Sequence, residues 1–202
     1  MAWISIKAIP NDLAFLKIVS ALVINCPSCE EKQVPNGINA NGKKKHKTVY
    51  NPVSVRNSTF RSRGICGKMF VTILAQIRKP LMSNGTYALL NSGEDVKTKV
   101  NSIITSVSLN DPYYDLIVYQ KKAEMTDLET LYYYIRNAFA HGAFEVINTK
   151  EGRVYKLESA KNGTVKAQMR LKESTLKSYI NYSLIKPADV KVLQKTRTKK
   201  TK

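Results

Sequence analysis

Three polar side chains near residue 140 have the types and spacing for proton transfer beside a bound anion: Arg136, Asn137 and His141. Histidine is the side chain whose unperturbed pKa lies near neutrality, so it takes up and releases protons at physiological pH. Arginine stays protonated and presents a planar fork that makes two hydrogen bonds to a phosphate. Asn137 and His141 are four residues apart, which on a helix places one above the other on a single face. Arg136 lies off that line, because five residues of helix carry the chain roughly 140° past a full turn. A plainer role is open to the same residues: His and Arg in a last helical turn are favoured by the helix dipole and by free carbonyls. That role accounts for the two basic groups. It does not account for the adjoining Asn on the His face or for the charge of the rest of the chain.

The element that must position them is an amphipathic helix. Leu128, Leu131, Ile135, Ala138 and Phe139 form an apolar stripe of helical period. Thr126 with Glu129 three residues later is a capping-box start, and Gly142 is a left-handed stop. The pattern Arg-Asn-x-x-x-His, late in such a helix and followed by Gly, resembles the signature of the HEPN superfamily, whose usual active-site motif is Arg-x(4–6)-His. The match covers about a dozen residues. Members of that superfamily are small helical bundles, many of them metal-independent ribonucleases. The resemblance implies that Arg136, His141 and Asn137 form a catalytic group acting on RNA, with no metal or other cofactor. RNA carries its own nucleophile, the 2′-hydroxyl, so a proton carrier and a fixed cation suffice, and the products are a 2′,3′-cyclic phosphate and a 5′-hydroxyl. It also implies a homodimer, in which Arg136 of one copy would work near His141 of the other. Such proteins often serve as toxins or antiphage effectors, and a nucleotidyltransferase-like antitoxin or inhibitor is then a candidate partner. The alternative is a non-catalytic nucleic-acid-binding or scaffold protein on the same fold.

Charge points to the same class of partner. The chain has 202 residues with 33 basic against 15 acidic side chains, a net charge of +18. Such a surplus argues for a polyanionic partner, either nucleic acid or an anionic membrane surface, the plainer alternative being a solvated surface with a loose tail. No Asp or Glu occurs between Lys32 and Gly93, while Lys43, Lys44, Lys45, Lys47, Arg56, Arg61, Arg63, Lys68, Arg78 and Lys79 accumulate there. Of these, Lys43, Lys44, Lys45, Lys47, Arg61 and Arg63 are the candidate RNA contacts, the lysines as a mobile phosphate-grasping arm or else part of an unstructured surface insertion. Tyr132, Tyr133 and Tyr134 are successive helix positions about 100° apart, so one of them is expected to stay exposed. Tyr134 shares the Asn137–His141 face and is a candidate base-stacking group, or else a core or dimer-interface tyrosine.

Three cysteines, an odd number, make no disulfide framework. Cys26 and Cys29 form a CxxC that His46 and Cys66 would have to complete as a zinc site, but the repeated pair of a zinc ribbon is absent, so reduced thiols and no metal are expected. P-loop, GxSxG and HExxH motifs are absent too. The longest apolar run, 13–24, is too short for a membrane span and contains Lys17. Asp12 before it and Asn25 after it do not suit a signal peptide. A core helix of a cytoplasmic protein is the expectation.

Periodicity predicts helices over about 11–25, 58–78 (ended by Lys79-Pro80), from Ser92 or Glu94 through Val107, and from Asp111-Pro112 to about 124. The motif helix follows as the fifth. Residues 35–57 read as a long basic loop. After Gly142 the period becomes two, with strands over 143–148, 154–159 and 164–171 and an Asn162-Gly163 hairpin turn, then a helix over about 173–184. The expected fold is therefore mainly α (α+β). A HEPN-like bundle would be followed by a β-hairpin appendage at 143–171 and a C-terminal helix, all in one domain over 1–185. Residues 186–202 would be a basic, disordered tail.

Overall fold

The structure, a computed structural model, describes residues 12–24, 29–52, 60–109, 111–123 and 125–199. Helix α1 (Leu13–Val19) starts where the Asp12 carboxylate accepts from the Phe15 N–H at 3.0 Å, and it continues as a π-helical turn, Ser20–Ile24. Phe15, Ile18 and Leu22 are its buried side, whereas Leu13 and Leu16 of the same apolar run are exposed. Strands β1 (Cys29–Ile38) and β2 (Lys44–Pro52) pair as an antiparallel hairpin. The residues expected as an irregular loop are thus strand as far as Pro52. The turn has local causes: Asn39 Oδ1 accepts from the N–H groups of Asn41 (3.0 Å) and Lys43 (2.8 Å), folding the chain back on itself.

Helix α2 (Lys68–Ser83) runs three residues past Pro80, where the sequence predicted a stop. Leu81 is buried beyond it, and the carbonyls of Lys79 and Pro80 accept from Ser83 Oγ and the Asn84 N–H. Strand β3 (Tyr87–Leu90) follows, then α3 (Val96–Val107), capped by Asp95 through the Lys97 N–H and the Thr98 hydroxyl. Strand β4 (Leu116–Gln120) lies where a fourth helix was expected. Asp111 caps no helix: its carboxylate takes the Tyr113 N–H at 2.6 Å in a tight turn. The run Leu116-Ile117-Val118-Tyr119 is apolar on both sides because β4 is buried on both faces, and such a run has no period by which strand and helix can be told apart. Helix α4 (Asp127–Ala140) is the motif helix. Strands β5 (Phe144–Asn148), β6 (Arg153–Lys161) and β7 (Thr164–Lys172), then α5 (Glu173–Ser183) and α6 (Pro187–Lys199), complete the chain.

Five strands form one mixed sheet in the order β3-β4-β7-β6-β5, with β3 and β4 parallel and the rest antiparallel. This overturns the expected helical bundle with a hairpin appendage. The strands of 143–171 join β3 and β4 in a central sheet, and the helices pack on it. One face of the sheet, with Ile117, Tyr119, Tyr155, Leu157, Met169 and Leu171, lies in the main core with the buried residues of α1, α2, α4 and α5. The other face has a smaller core in which Leu116 and Val118 meet Val96, Val100 and Ile103 of α3. Helix α3 contacts β4 and β7, toward one end of that face.

Two further expectations change. Tyr132, Tyr133 and Tyr134 are all buried, at 0%, 8% and 4% exposure, because α4 is surrounded rather than half-covered. Strand β6, the π-helical turn and α2 all pack on it, and the Lys122 ammonium lies 4.3 Å over the Tyr133 ring. The expected disordered tail is helical through Lys199. Val190 of α6 is fully buried, α6 packs on α2, and Gln194 Nε2 donates to Thr72 Oγ1 at 3.1 Å. No described helix is long and apolar enough to cross a membrane.

Candidate active site at the end of α4

Both ends of α4 are built by local chemistry. At its start, Thr126 Oγ1 accepts from the Glu129 N–H, and Glu129 Oε2 accepts from the Thr126 N–H at 3.0 Å, the reciprocal capping box. Arg61 closes on the same carboxylate with Nε at 2.8 Å and Nη2 at 3.0 Å. Burial works to raise the Glu129 carboxyl, but the bonds from Arg61 and from the Thr126 backbone and hydroxyl outweigh it, and the group sits below its ordinary value of 4.5.

At the other end, Gly142 adopts φ +65°. Its N–H bonds to the Phe139 carbonyl at 3.2 Å, and the Ala143 N–H reaches the Ala138 carbonyl at 2.8 Å. This is a complete Schellman stop, which only a residue free to adopt positive φ makes without strain. It leaves His141 as the capping residue, exposed, with its own N–H on the Asn137 carbonyl at 3.0 Å. The chain then turns directly into β5.

His141 lines an open cavity of about 480 Å³ between the end of α4, helix α3 and the polar face of the sheet. Val100 and Ile104 of α3 supply an apolar wall. The sheet supplies Glu145, Lys156, Glu158, Gln168 and Arg170. Their proximity follows from register: Lys156 stands directly opposite Arg170, Glu158 opposite Gln168, and Glu145 opposite Lys156. Lys156 Nζ bonds to Glu145 Oε2 at 2.9 Å. The Arg170 guanidinium lies 4.5 Å over the ring of Tyr114, another residue of the cavity wall.

The predicted catalytic residues are only partly gathered. His141 lines the cavity, while Arg136 and Asn137 are not among its walls. Both are half-buried, and Arg136 Nε is enclosed with no hydrogen-bond partner among the described residues.

The predicted RNA contacts divide in two. Lys43, Lys44, Lys45 and Lys47 are all exposed on the β1–β2 hairpin. Arg61 is committed to Glu129 and lies 5.7 Å over Phe70, and Arg63 donates to the Ser183 carbonyl and lies 5.7 Å over Phe60, so both tie the chain together. Tyr134 cannot stack on a base, because it is buried with its ring edge-on to Tyr133 (5.4 Å) and Tyr119 (6.3 Å). For a zinc site, Cys26 lies outside the described residues, as does the side chain of Cys29. Cys66 is exposed and free, and no group of three metal-ligating side chains occurs among the described residues.

The cavity's sheet residues were missed as a site. Alternation does place Gln168 and Arg170 on the polar side of β7. That they would adjoin Lys156, Glu158 and the end of α4 depends on register, which no short stretch of sequence carries. No protein-family model matches the chain, and no significant match to a curated protein or to a solved structure was found.

Proposed function

We propose that the protein binds RNA and cleaves it without a metal, with His141 moving the proton. One observation carries the reading. His141 stands exposed at the end of α4, in the wall of a cavity that two cations of the same chain, Lys156 and Arg170, also line. In the proposed step the 2′-oxygen bonds to the neighbouring phosphorus and the bond to the 5′-oxygen breaks. Neutral His141 accepts the 2′-hydroxyl proton, and the departing 5′-oxygen takes one up from the imidazolium or from water. The product ends are a 2′,3′-cyclic phosphate and a 5′-hydroxyl. A two-fold dimer pairing two α4 ends would add Arg136 and Asn137 of one copy to His141 of the other. The exposed lysines of the β1–β2 hairpin and the net charge of +18 supply the general attraction for phosphates. A cytoplasmic toxin or antiphage effector restrained by an inhibitor fits this chemistry.

The competing reading is a basic nucleic-acid-binding protein without catalysis, favoured by the completeness of the Schellman stop, which uses His141 as a cap and needs nothing more of it. Incubating the full chain with mixed RNA in EDTA, beside His141→Ala, separates them. Cyclic-phosphate ends made by the parent and lost in the variant support cleavage. Cleavage that persists in the variant removes His141 from the mechanism. Salt-dependent binding with no cleavage by either protein leaves the binder.

A further inference from the structure

We infer that Lys156 and Arg170 form a phosphate subsite for single-stranded RNA in the cavity that His141 lines. This rests on the RNA reading above, but it concerns binding and can stand or fall apart from cleavage. The starting point is a conflict in the sheet. Lys156 and Arg170 are direct cross-strand partners on one face. Side chains so placed have Cβ atoms about 5 Å apart, and like charges there destabilise the pairing. A sheet selected for stability alone has no use for two cations in that position.

The surroundings relieve only half of the conflict. Glu145 pairs with Lys156 at 2.9 Å, with both side chains still substantially exposed at 57% and 42%. Arg170 makes no ion pair among the described residues, and what holds it is the Tyr114 ring 4.5 Å beneath its guanidinium. That contact sets the guanidinium against the ring and leaves its N–H donors without a hydrogen-bond partner among the described residues, and such donors take a phosphate with two parallel hydrogen bonds.

Three features make this a subsite rather than a patch of surface. It lies inside a cavity with one apolar wall, from Val100 and Ile104, where charge interactions are screened less than in open water. His141 lines the same cavity, toward the rung where the Glu158 N–H bonds to the Ala143 carbonyl at 2.9 Å, so an anion between the two cations shares the cavity with the proton carrier. The next cross-strand pair, Glu158 with Gln168, puts a carboxylate one rung away. It repels a second phosphate, so the cavity suits one phosphate of a strand and not a run of them. The paired phosphates of a duplex would be held instead by a continuous basic track.

The test uses the full chain and a fluorescein-labelled eight-nucleotide RNA, 2′-O-methylated throughout so that it cannot be cut, read by anisotropy across a salt series. Arg170→Gln and Lys156→Gln should each weaken binding about tenfold, and each should lower the slope of log affinity against log salt by about 0.7, one single-strand phosphate contact. Arg170→Lys keeps the charge and loses the planar fork, so it should keep the slope and lose affinity. It also serves if the Gln variant does not fold. Parent-like affinity and slope in Lys156→Gln, and parent-like affinity in Arg170→Gln or in Arg170→Lys, overturn the subsite. Cleavage of unmodified RNA distinguishes the two proposals. A parent that cuts nothing while Arg170→Gln binds weakly sinks catalysis and keeps the subsite, whereas normal cutting with unchanged binding in the variants does the reverse.

Discussion

The two faces of the five-stranded sheet are made from the same strands and have opposite characters. On one, Ile117, Tyr119, Tyr155, Leu157, Met169 and Leu171 are almost completely buried in the main core. On the other, α3 contacts β4 and β7, and β6 and β7 present Lys156, Glu158, Gln168 and Arg170 to an open cavity. Strand alternation allows this: each residue belongs wholly to one face, so the covered side can be optimised for packing while the other carries charge. The difference also separates stability from chemistry. Substitutions on the covered face are expected to unfold the protein, and substitutions on the open face to change what it binds.

The sharpest test of that separation is His141→Ala, which should lower RNA cleavage a hundredfold or more, the range for loss of a general acid–base group, with a melting temperature close to the parent's. If the site is shared between two copies, mixing His141→Ala with Arg136→Ala should restore part of the activity that neither has alone, measured as cyclic-phosphate ends. No restoration would leave the cations of the same chain as the only candidates.

Next in size, Ile117→Ala on the covered face should cost about 2–5 kcal/mol in urea unfolding, while Gln168→Ala on the open face should stay within about 0.5 kcal/mol. Equal costs would mean that Gln168 is packed as tightly as the covered face.

Thr126→Ala, at the capped start of α4, should cost about 1 kcal/mol. The same cap predicts a pH effect. The Glu129 carboxyl is held below 4.5, so its contribution is fully present above that pH and is lost as pH falls through the depressed folded value. Glu129→Gln should therefore be less stable than the parent near neutrality and approach it in acid. A gap that stays constant down to pH 2 would show that the carboxylate's charge contributes nothing there.

The ends of α4 were legible because their causes are local. Thr126 and Glu129 are three residues apart, and Gly142 adjoins the last helical turn. The β6–β7 turn is equally local, with Asn162 and Gly163 both at positive φ. Strand β4 was not legible, because a short run apolar on both sides has no period and Asp111-Pro112 ahead of it mimics a helix start. The β1–β2 hairpin escaped detection because its strands are largely polar, β2 being lysine-rich and β1 carrying Pro35 and Gly37, without the alternation that marks a half-buried strand. The three tyrosines were misjudged because angular spacing limits burial only for a helix with one open side.

What the amino-acid order alone decided, then, is the charge and the local punctuation: a large positive surplus, a histidine at a glycine-stopped helix end, and strands β5 to β7 with their turn. The tertiary structure alone decided that these strands form a central sheet with β3 and β4, that Tyr134 is sealed in the core, and that Lys156 and Arg170 face each other in the cavity that His141 lines. The physical reason is range. Caps and turns are settled by hydrogen bonds among residues within a few positions of one another, whereas register and burial depend on partners dozens of residues away, whose identity is determined only when the whole core packs.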